Sequence, residues 1–317
     1  MTLTDTPAPA PAKATAGSDA VDAKVRRLSA ASAKRIIEPD VDVPGHVGDG
    51  QLLPDELLSV AGLDLDLTPE QRRVLSREEV GSITNSGIAF EAVLEAGFAL
   101  EIAHRSDMTD PRVTFLLHEL GEETRHQRLF IRMLEDIRPT AVHPLDKPLF
   151  RFFERRGINQ IINRPAMLYT LVLGGEEIPD LFQKRASEHP DTDPFVKAVN
   201  RYHRQEEARH LSFARAVLPE VWEKARPVDR FLVRRLVPRI IQGMFDLLVH
   251  PGVYEVIGLP GWDTWKQVKA SPTRVATRHE ATRPVLEALI DAGAVRRGRV
   301  PAPWRELCGV DAHAQPC

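Results

Sequence analysis

From Thr68 onward apolar residues recur every three to four positions, and alternating β-branched runs are few. That periodicity predicts helices near 68–77, 78–104, 111–136, 148–160, 165–187, 194–217 and 227–248. Asp110-Pro111 and Asp193-Pro194 mark two of the starts. In each, Asp caps free backbone N–H groups and Pro occupies the first helical position, where its missing N–H costs nothing. The helices before these starts turn through short polar loops, HRSDMTD and SEHPDTD. Two helical hairpins of one design therefore follow each other, an internal repeat at the level of a helix pair.

Outside residues 68–250 the pattern fades. Residues 1–20 are rich in Ala, Pro and Thr, and 1–40 is expected to be mostly disordered, with AVDAKVRRLSAASAKRII able to form a short helix. Residues 41–67 read as a loop-rich lead-in. Its glycines have no flanking strand and helix, so they make no phosphate loop, and Pro44 and Gly45 break any calcium-loop pattern. Residues 251–317 read as a cap, with a Gly/Pro/Trp loop (PGVYEVIGLPGW) and a helix at 278–293.

Composition removes several functions. A net charge of −3 and 6 % aromatic residues argue against nucleic acid as a partner. No apolar run reaches the length of a membrane span, and the N-terminus lacks the apolar segment of a secretory signal. The only cysteines are Cys308 and Cys317, which excludes a disulfide framework or thiolate metal site. The expected location is the cytoplasm.

The chemistry lies in two similar stretches, EETRHQRLF from Glu122 and EEARHLSFA from Glu206. Glu123 and His126 are three apart and share a helix face, as do Glu207 and His210. His203 lies four before Glu207 and joins that row. A Glu-x-x-His on each of two helices, plus one Glu from each partner helix, is the ligand set of carboxylate-bridged dimetal bundles. Two divalent cations need several anionic oxygens at close range, and imidazole completes each ion.

The partner glutamates must lie level in the preceding helices. In the second hairpin Glu176 and Glu177 are the candidates to face Glu207. In the first, Glu91 stands before Glu123 at a separation that best matches theirs. It is preferred to Glu95, which is closer, while Glu101 is too near the turn. Helical projection leans to Glu177, which lies beside Thr170, Leu173, Gly174 and Leu181. Glu176 shares a more polar strip with Tyr169, Pro179, Asp180 and Gln183. Glu122 and Glu206 are assigned to the surface or to supporting contacts. Arg125 and Arg209 point off the ligand face toward carboxylates on neighbouring helices. Tyr202 faces elsewhere. Phe90, Leu94, Phe98, Leu116, Leu117, Phe130, Leu211 and Phe213 read as core. The fold class that carries this set is an all-α, ferritin-like four-helix bundle with flanking helices.

The order Glu91, Glu123-x-x-His126, Glu176 or Glu177, His203-x-x-x-Glu207-x-x-His210 resembles the non-haem diiron oxygenases typified by p-aminobenzoate N-oxygenase. The third histidine, His203, is what separates this type from ordinary diiron bundles. The resemblance covers about 78–248. It implies two iron ions, with Mn as another metal the ligands accept, and O2 as co-substrate. It implies oxygenation of a small organic substrate, an arylamine first. A carbon hydroxylase or desaturase-like oxidase of the same architecture, or a non-catalytic iron-binding protein, is the alternative. No flavin or nicotinamide fingerprint occurs in the chain, so an external donor such as a ferredoxin or reductase is expected. Apolar bundle faces suggest a homodimer.

Overall fold

The computed structural model describes residues 16–317. Its secondary structure is helical, and among the described residues the only β-pairing is an isolated bridge between Val310 and Pro316. In chain order the helices are α1 (Ala16–Lys34), α2 (Pro39–Asp42), α3 (Pro69–Ala103), α4 (Pro111–Ile137), α5 (Pro148–Ile162), α6 (Pro165–Glu188) and α7 (Pro194–Lys224). They continue with α8 (Pro227–Arg235), α9 (Val237–Leu247), α10 (Pro251–Val256), α11 (Gly261–Ala270), α12 (Pro272–Asp291) and α13 (Ala302–Cys308).

The bundle is α3, α4, α6 and α7. Helix α3 packs along α4 and α6 along α7, the two hairpins that the sequence repeat predicts. Their matching starts are real caps. Asp110 accepts from the N–H of Arg112, and Asp193 accepts from Phe195 and Val196. Helices α8, α9 and α12 cover α6, and α13 closes over α9 and α12. Its Trp304 is fully buried and donates from Nε1 to the Val233 carbonyl at 3.0 Å.

Several expectations need correction. The two helices expected over 68–104 are one 35-residue helix, α3, opened by a Thr68–Gln71 capping box. The helix expected at 227–248 breaks at Leu236 into α8 and α9, because Pro238 supplies no N–H to continue the ladder. The expected Gly/Pro/Trp loop holds α10 and α11, and α12 begins at Pro272 rather than 278. The expected disorder over 1–40 fails from Ala16 onward. Residues 1–15 lie outside the described residues, but α1 packs on α4 and α7. Val21, Val25 and Leu28 give it an apolar face, with Val25 fully buried. Arg112 ties it down by pairing with both Asp22 of α1 and Glu220 of α7. Leu117 is 56 % exposed and is not core.

The apolar interior is divided. One cluster holds Leu94, Phe98, Phe115, Leu116, Leu211 and Phe213, and the other holds Leu129, Phe130, Met133, Val199 and Tyr202. On both α4 and α7 the residues between these clusters are the Glu-rich repeat. The bundle is thus apolar at both ends of a buried, polar middle layer. Among the described residues no helix is long and apolar enough to cross a membrane.

Candidate metal centre

Helical register brings the two repeats to one level. Glu123 follows Pro111, the first residue of α4, at nearly the same distance as Glu207 follows Pro194, the first of α7. In the middle layer Glu91, Glu123, His126, His203, Glu207 and His210 are each no more than 3 % exposed. Their donor atoms fall into two trios that could each hold a metal ion. One atom each from Glu91, His126 and His203 lies within 4.8 Å of the others, and so does one each from Glu123, Glu207 and His210. The four bundle helices contribute unequally: Glu91 from α3, Glu123 and His126 from α4, Glu176 from α6, and the remaining three from α7.

Glu176 and Glu177 have different surroundings, and these do not follow the helical projection. Glu177 turns to Arg215 of α7 and forms an ion pair there. Glu176 is 2 % exposed, and Glu207, Glu123 and His210 are its electrostatic neighbours. The polar strip of Glu176 turns to the buried layer: Gln183, in that strip, bonds His203. Glu95 is only half-buried and lies beside Gln127, whereas Glu91 meets His203 Nε2 at 3.1 Å.

Each histidine is oriented by a second partner. His126 Nε2 lies 3.0 Å from Glu206, and His210 Nε2 lies 2.8 Å from Glu122. With Nε2–H donating to these carboxylates, each Nδ1 faces the shared Glu123 and Glu207. His203 is reversed. Its Nδ1 lies 3.0 Å from the Gln183 amide oxygen, leaving Nε2 toward Glu91 and Glu207. Such outer carboxylates fix the ring and raise its basicity. The links cross the repeat: Glu122 of α4 holds the histidine of α7, and Glu206 of α7 holds that of α4. Arg209 pairs with Glu122 at 3.0 Å, and Arg125 approaches Glu206 at 3.8 Å. Both Glu122 and Glu206 are buried, so the surface reading of them is corrected. Tyr202 packs edge-on to His126, 5.4 Å between ring centres, and Phe130 stacks on His203 at 5.1 Å.

The electrostatics are those of carboxylates and imidazoles crowded into one buried layer. Burial, then the neighbouring Glu123 and Glu207, push the Glu91 carboxyl well up. Burial and the same two neighbours do so for Glu176. Burial alone would depress His126, but its bonds to Glu123 and Glu206 hold it at about 10. Burial and the adjacent His126 bring His203 down to about 4. Carboxylate oxygens without a hydrogen-bond partner remain here: Glu91 Oε2, Glu119 Oε2 and Glu176 Oε1. Unpaired buried oxygens are costly, and two divalent cations would satisfy this set. Glu119, one turn before Glu123, was not singled out from the sequence. Its place in the repeat was the available signal.

A cavity of about 1380 Å³ borders the layer, with Glu91, Glu176 and His203 among its lining residues. Phe90, Leu94 and Phe130 line it beside them, and Arg155 of α5 and Arg185 of α6 also reach it.

Comparison with known proteins agrees with this geometry. The uncharacterized protein Rv0885 of Mycobacterium tuberculosis (strain ATCC 25618 / H37Rv) is 26 % identical over 176 residues, covering 54 % of this chain and 49 % of its own length. The uncharacterized protein Mb0909 of Mycobacterium bovis matches to the same extent. The chain thus spans about half the length of the curated relatives it matches. The family model described as p-aminobenzoate N-oxygenase AurF matches residues 18–293, from α1 through α12. With a match over that span, the chain belongs to the p-aminobenzoate N-oxygenase family.

Proposed function

We propose that the chain is a diiron oxygenase that transfers one oxygen atom from O2 to the nitrogen of an arylamine-type substrate held in the cavity. The observation that carries this reading is the pair of buried trios, Glu91–His126–His203 and Glu123–Glu207–His210, at the wall of a cavity large enough for an organic molecule. Glu91, His126 and His203 would hold one ion, Glu176 and His210 the other, and Glu123 and Glu207 would lie between them. Two iron ions bound there would bind and reduce O2. The overall change balances as amine, O2, two electrons and two protons giving hydroxylamine and water. The electrons need an external donor of the ferredoxin or reductase class.

The chain's own residues set the conditions. Glu206, Glu122 and Gln183 hold the three imidazoles in the tautomers that leave one nitrogen of each free for a metal. Phe130 and Tyr202 cover the rings of His203 and His126 and keep water from that side. Phe90 and Leu94 give the substrate an apolar seat next to Glu91. The cavity exceeds the roughly 300–1,000 Å³ of ordinary small-ligand pockets. There is room for an aromatic amine or a larger molecule, and carbon hydroxylation by the same centre is the second reading.

The test is anaerobic Fe(II) loading, metal counting, and rapid mixing with O2 while the visible spectrum is recorded. Two irons per chain and a transient band that decays faster with an arylamine, with a hydroxylamine detected by mass spectrometry, are expected. A hydroxylated carbon product would transfer the assignment to the second reading. Fewer than two irons, or no O2-dependent band, would remove the oxygenase reading.

A further inference from the structure

The two copies of the repeat stay in register at a constant shift. The shift that carries Glu122 onto Glu206 also carries Glu123 onto Glu207, Arg125 onto Arg209 and His126 onto His210, and it carries Glu119 onto His203. Glu119 and His203 each lie four before the shared glutamate of their helix, one turn along the face that bears the cluster. One copy of the repeat thus puts an imidazole at this position, and the other a carboxyl.

Glu119 is 1 % exposed, and its Oε2 has no hydrogen-bond partner. Its electrostatic neighbours are His210, Glu123, Glu207 and Glu122. Nearby groups leave it unsatisfied. His210 has Nδ1 toward Glu123 and Glu207 and Nε2 toward Glu122. The phenol of Tyr169 donates to Glu101 at 2.7 Å. A carboxyl placed in a dry interior among other carboxylates, with a free oxygen, is costly unless a cation completes it.

We propose that Glu119 is a metal ligand. It supplies a carboxylate oxygen to the ion held by Glu176 and His210, as His203 supplies imidazole to the ion held by Glu91 and His126. The assignment rests on the dimetal reading above and extends it. Each ion then has three residues of its own besides the shared Glu123 and Glu207. The ions differ in one respect: the first has a neutral nitrogen where the second has an anionic oxygen. That asymmetry distinguishes the two positions by donor type and charge, with the more oxygen-rich set at Glu119.

The test uses the metal-free full chain, titrated anaerobically with Co(II) while its visible d–d bands are recorded and bound metal is counted. Wild type, Glu119→Gln, Glu119→His and His203→Gln are compared. Two Co(II) per wild-type chain are expected. Glu119→Gln should weaken one ion by about ten- to a hundredfold or more and leave the other's bands unchanged. His203→Gln should weaken the other ion. Glu119→His should restore two-ion binding, with shifted bands because nitrogen replaces oxygen. Circular dichroism and melting of the metal-free variants report folding. Should Glu119→Gln not fold, Glu119→Asp keeps the charge and shortens the reach, and a shifted spectrum from one ion is then expected. Wild-type affinity for both ions and an unchanged spectrum in the folded Glu119 variant would overturn the assignment and leave the dimetal centre standing. Fewer than two Co(II) in the wild type would overturn the dimetal reading, and this assignment with it.

Discussion

Glu176 and Glu177 are neighbours in sequence with different surroundings. Glu176 faces Glu123 and Glu207 in the middle layer, while Glu177 pairs with Arg215, whose side chain is 39 % exposed. If the proposed diiron reading holds, Glu176→Gln should lose about one iron per chain and most O2-dependent turnover. Glu177→Gln should keep two metal ions and cost roughly 1–3 kcal/mol of unfolding free energy, because it removes the buried partner of a partly exposed arginine. Metal counts and denaturant melts of the two proteins decide it, and iron loss in Glu177→Gln alone would reverse the assignment. The sequence made Glu91, Glu123, His126, His203, Glu207 and His210 visible through spacing. It did not separate Glu176 from Glu177, because a polar strip on a helix faces either water or a buried ionic layer, and periodicity alone does not distinguish them. Glu79 of α3 is a second residue whose role only packing reveals. It is buried, and despite accepting bonds from the Ser59 N–H and hydroxyl, burial pushes its carboxyl up to about 7. A folded pKa above the unfolded one means the folded state holds this proton more tightly. The contribution is complete below about 4.5 and is lost as pH rises through 7. A shift of this size corresponds to about 3 kcal/mol. Wild type should therefore lose stability relative to Glu79→Gln between those pH values, and parallel stability curves for the two proteins would refute it.

At the scale of elements, α3 and α6 come together through glycine. A Cβ on Gly175 would fall 1.8 Å from the Phe90 ring, and one on Gly97 would fall 2.9 Å from Leu168. Phe90 precedes Glu91, and Gly175 precedes Glu176, so this contact sets the spacing between the two partner glutamates. Gly175→Ala must displace the Phe90 ring. Overpacking costs about 1–3 kcal/mol, offset in part by the roughly 1 kcal/mol that Ala gains over Gly in a helix. The expected net result is a lower melting temperature, and Phe90→Ala in the same chain should recover the steric part. A double-mutant cycle by thermal unfolding measures that coupling, and additive effects would show that the contact does not set the helix separation. Most element positions were legible from sequence. The Asp-Pro starts of α4 and α7 gave their first residues because a cap and a fixed φ are local chemistry. What escaped was decided by distant contacts. Helix α1 is ordered by Arg112 and by the apolar faces of α4 and α7, α3 runs without a break, and α10 and α11 form in a stretch whose Gly and Pro residues suggested a loop.

For the whole molecule, the divided interior makes metal and stability one question. Seven carboxylates (Glu91, Glu119, Glu122, Glu123, Glu176, Glu206 and Glu207) lie between the two apolar clusters, each at most 3 % exposed. Arg125, Arg209 and three histidines face them. Their positive partners serve the carboxylates unequally: the histidines and Arg209 hold Glu122, Glu123 and Glu207 down, while burial and neighbouring carboxylates leave Glu91, Glu119 and Glu176 pushed up in a medium that screens poorly. Bound metal favours only the folded chain, by about 2.7 kcal/mol when free metal is a hundred times its dissociation constant. Stripping the metal with a chelator should therefore lower the melting temperature by roughly 5–10 °C. Replacing Glu176 with Gln should do two opposite things. It should raise the melting temperature of the metal-free protein, since one buried carboxylate is gone, and it should shrink the chelator effect, since one ion is no longer held. Calorimetry of both proteins with and without chelator gives four melting temperatures. If Glu176→Gln melts below wild type when both are metal-free, the layer is held together by its own hydrogen bonds rather than strained toward a cation.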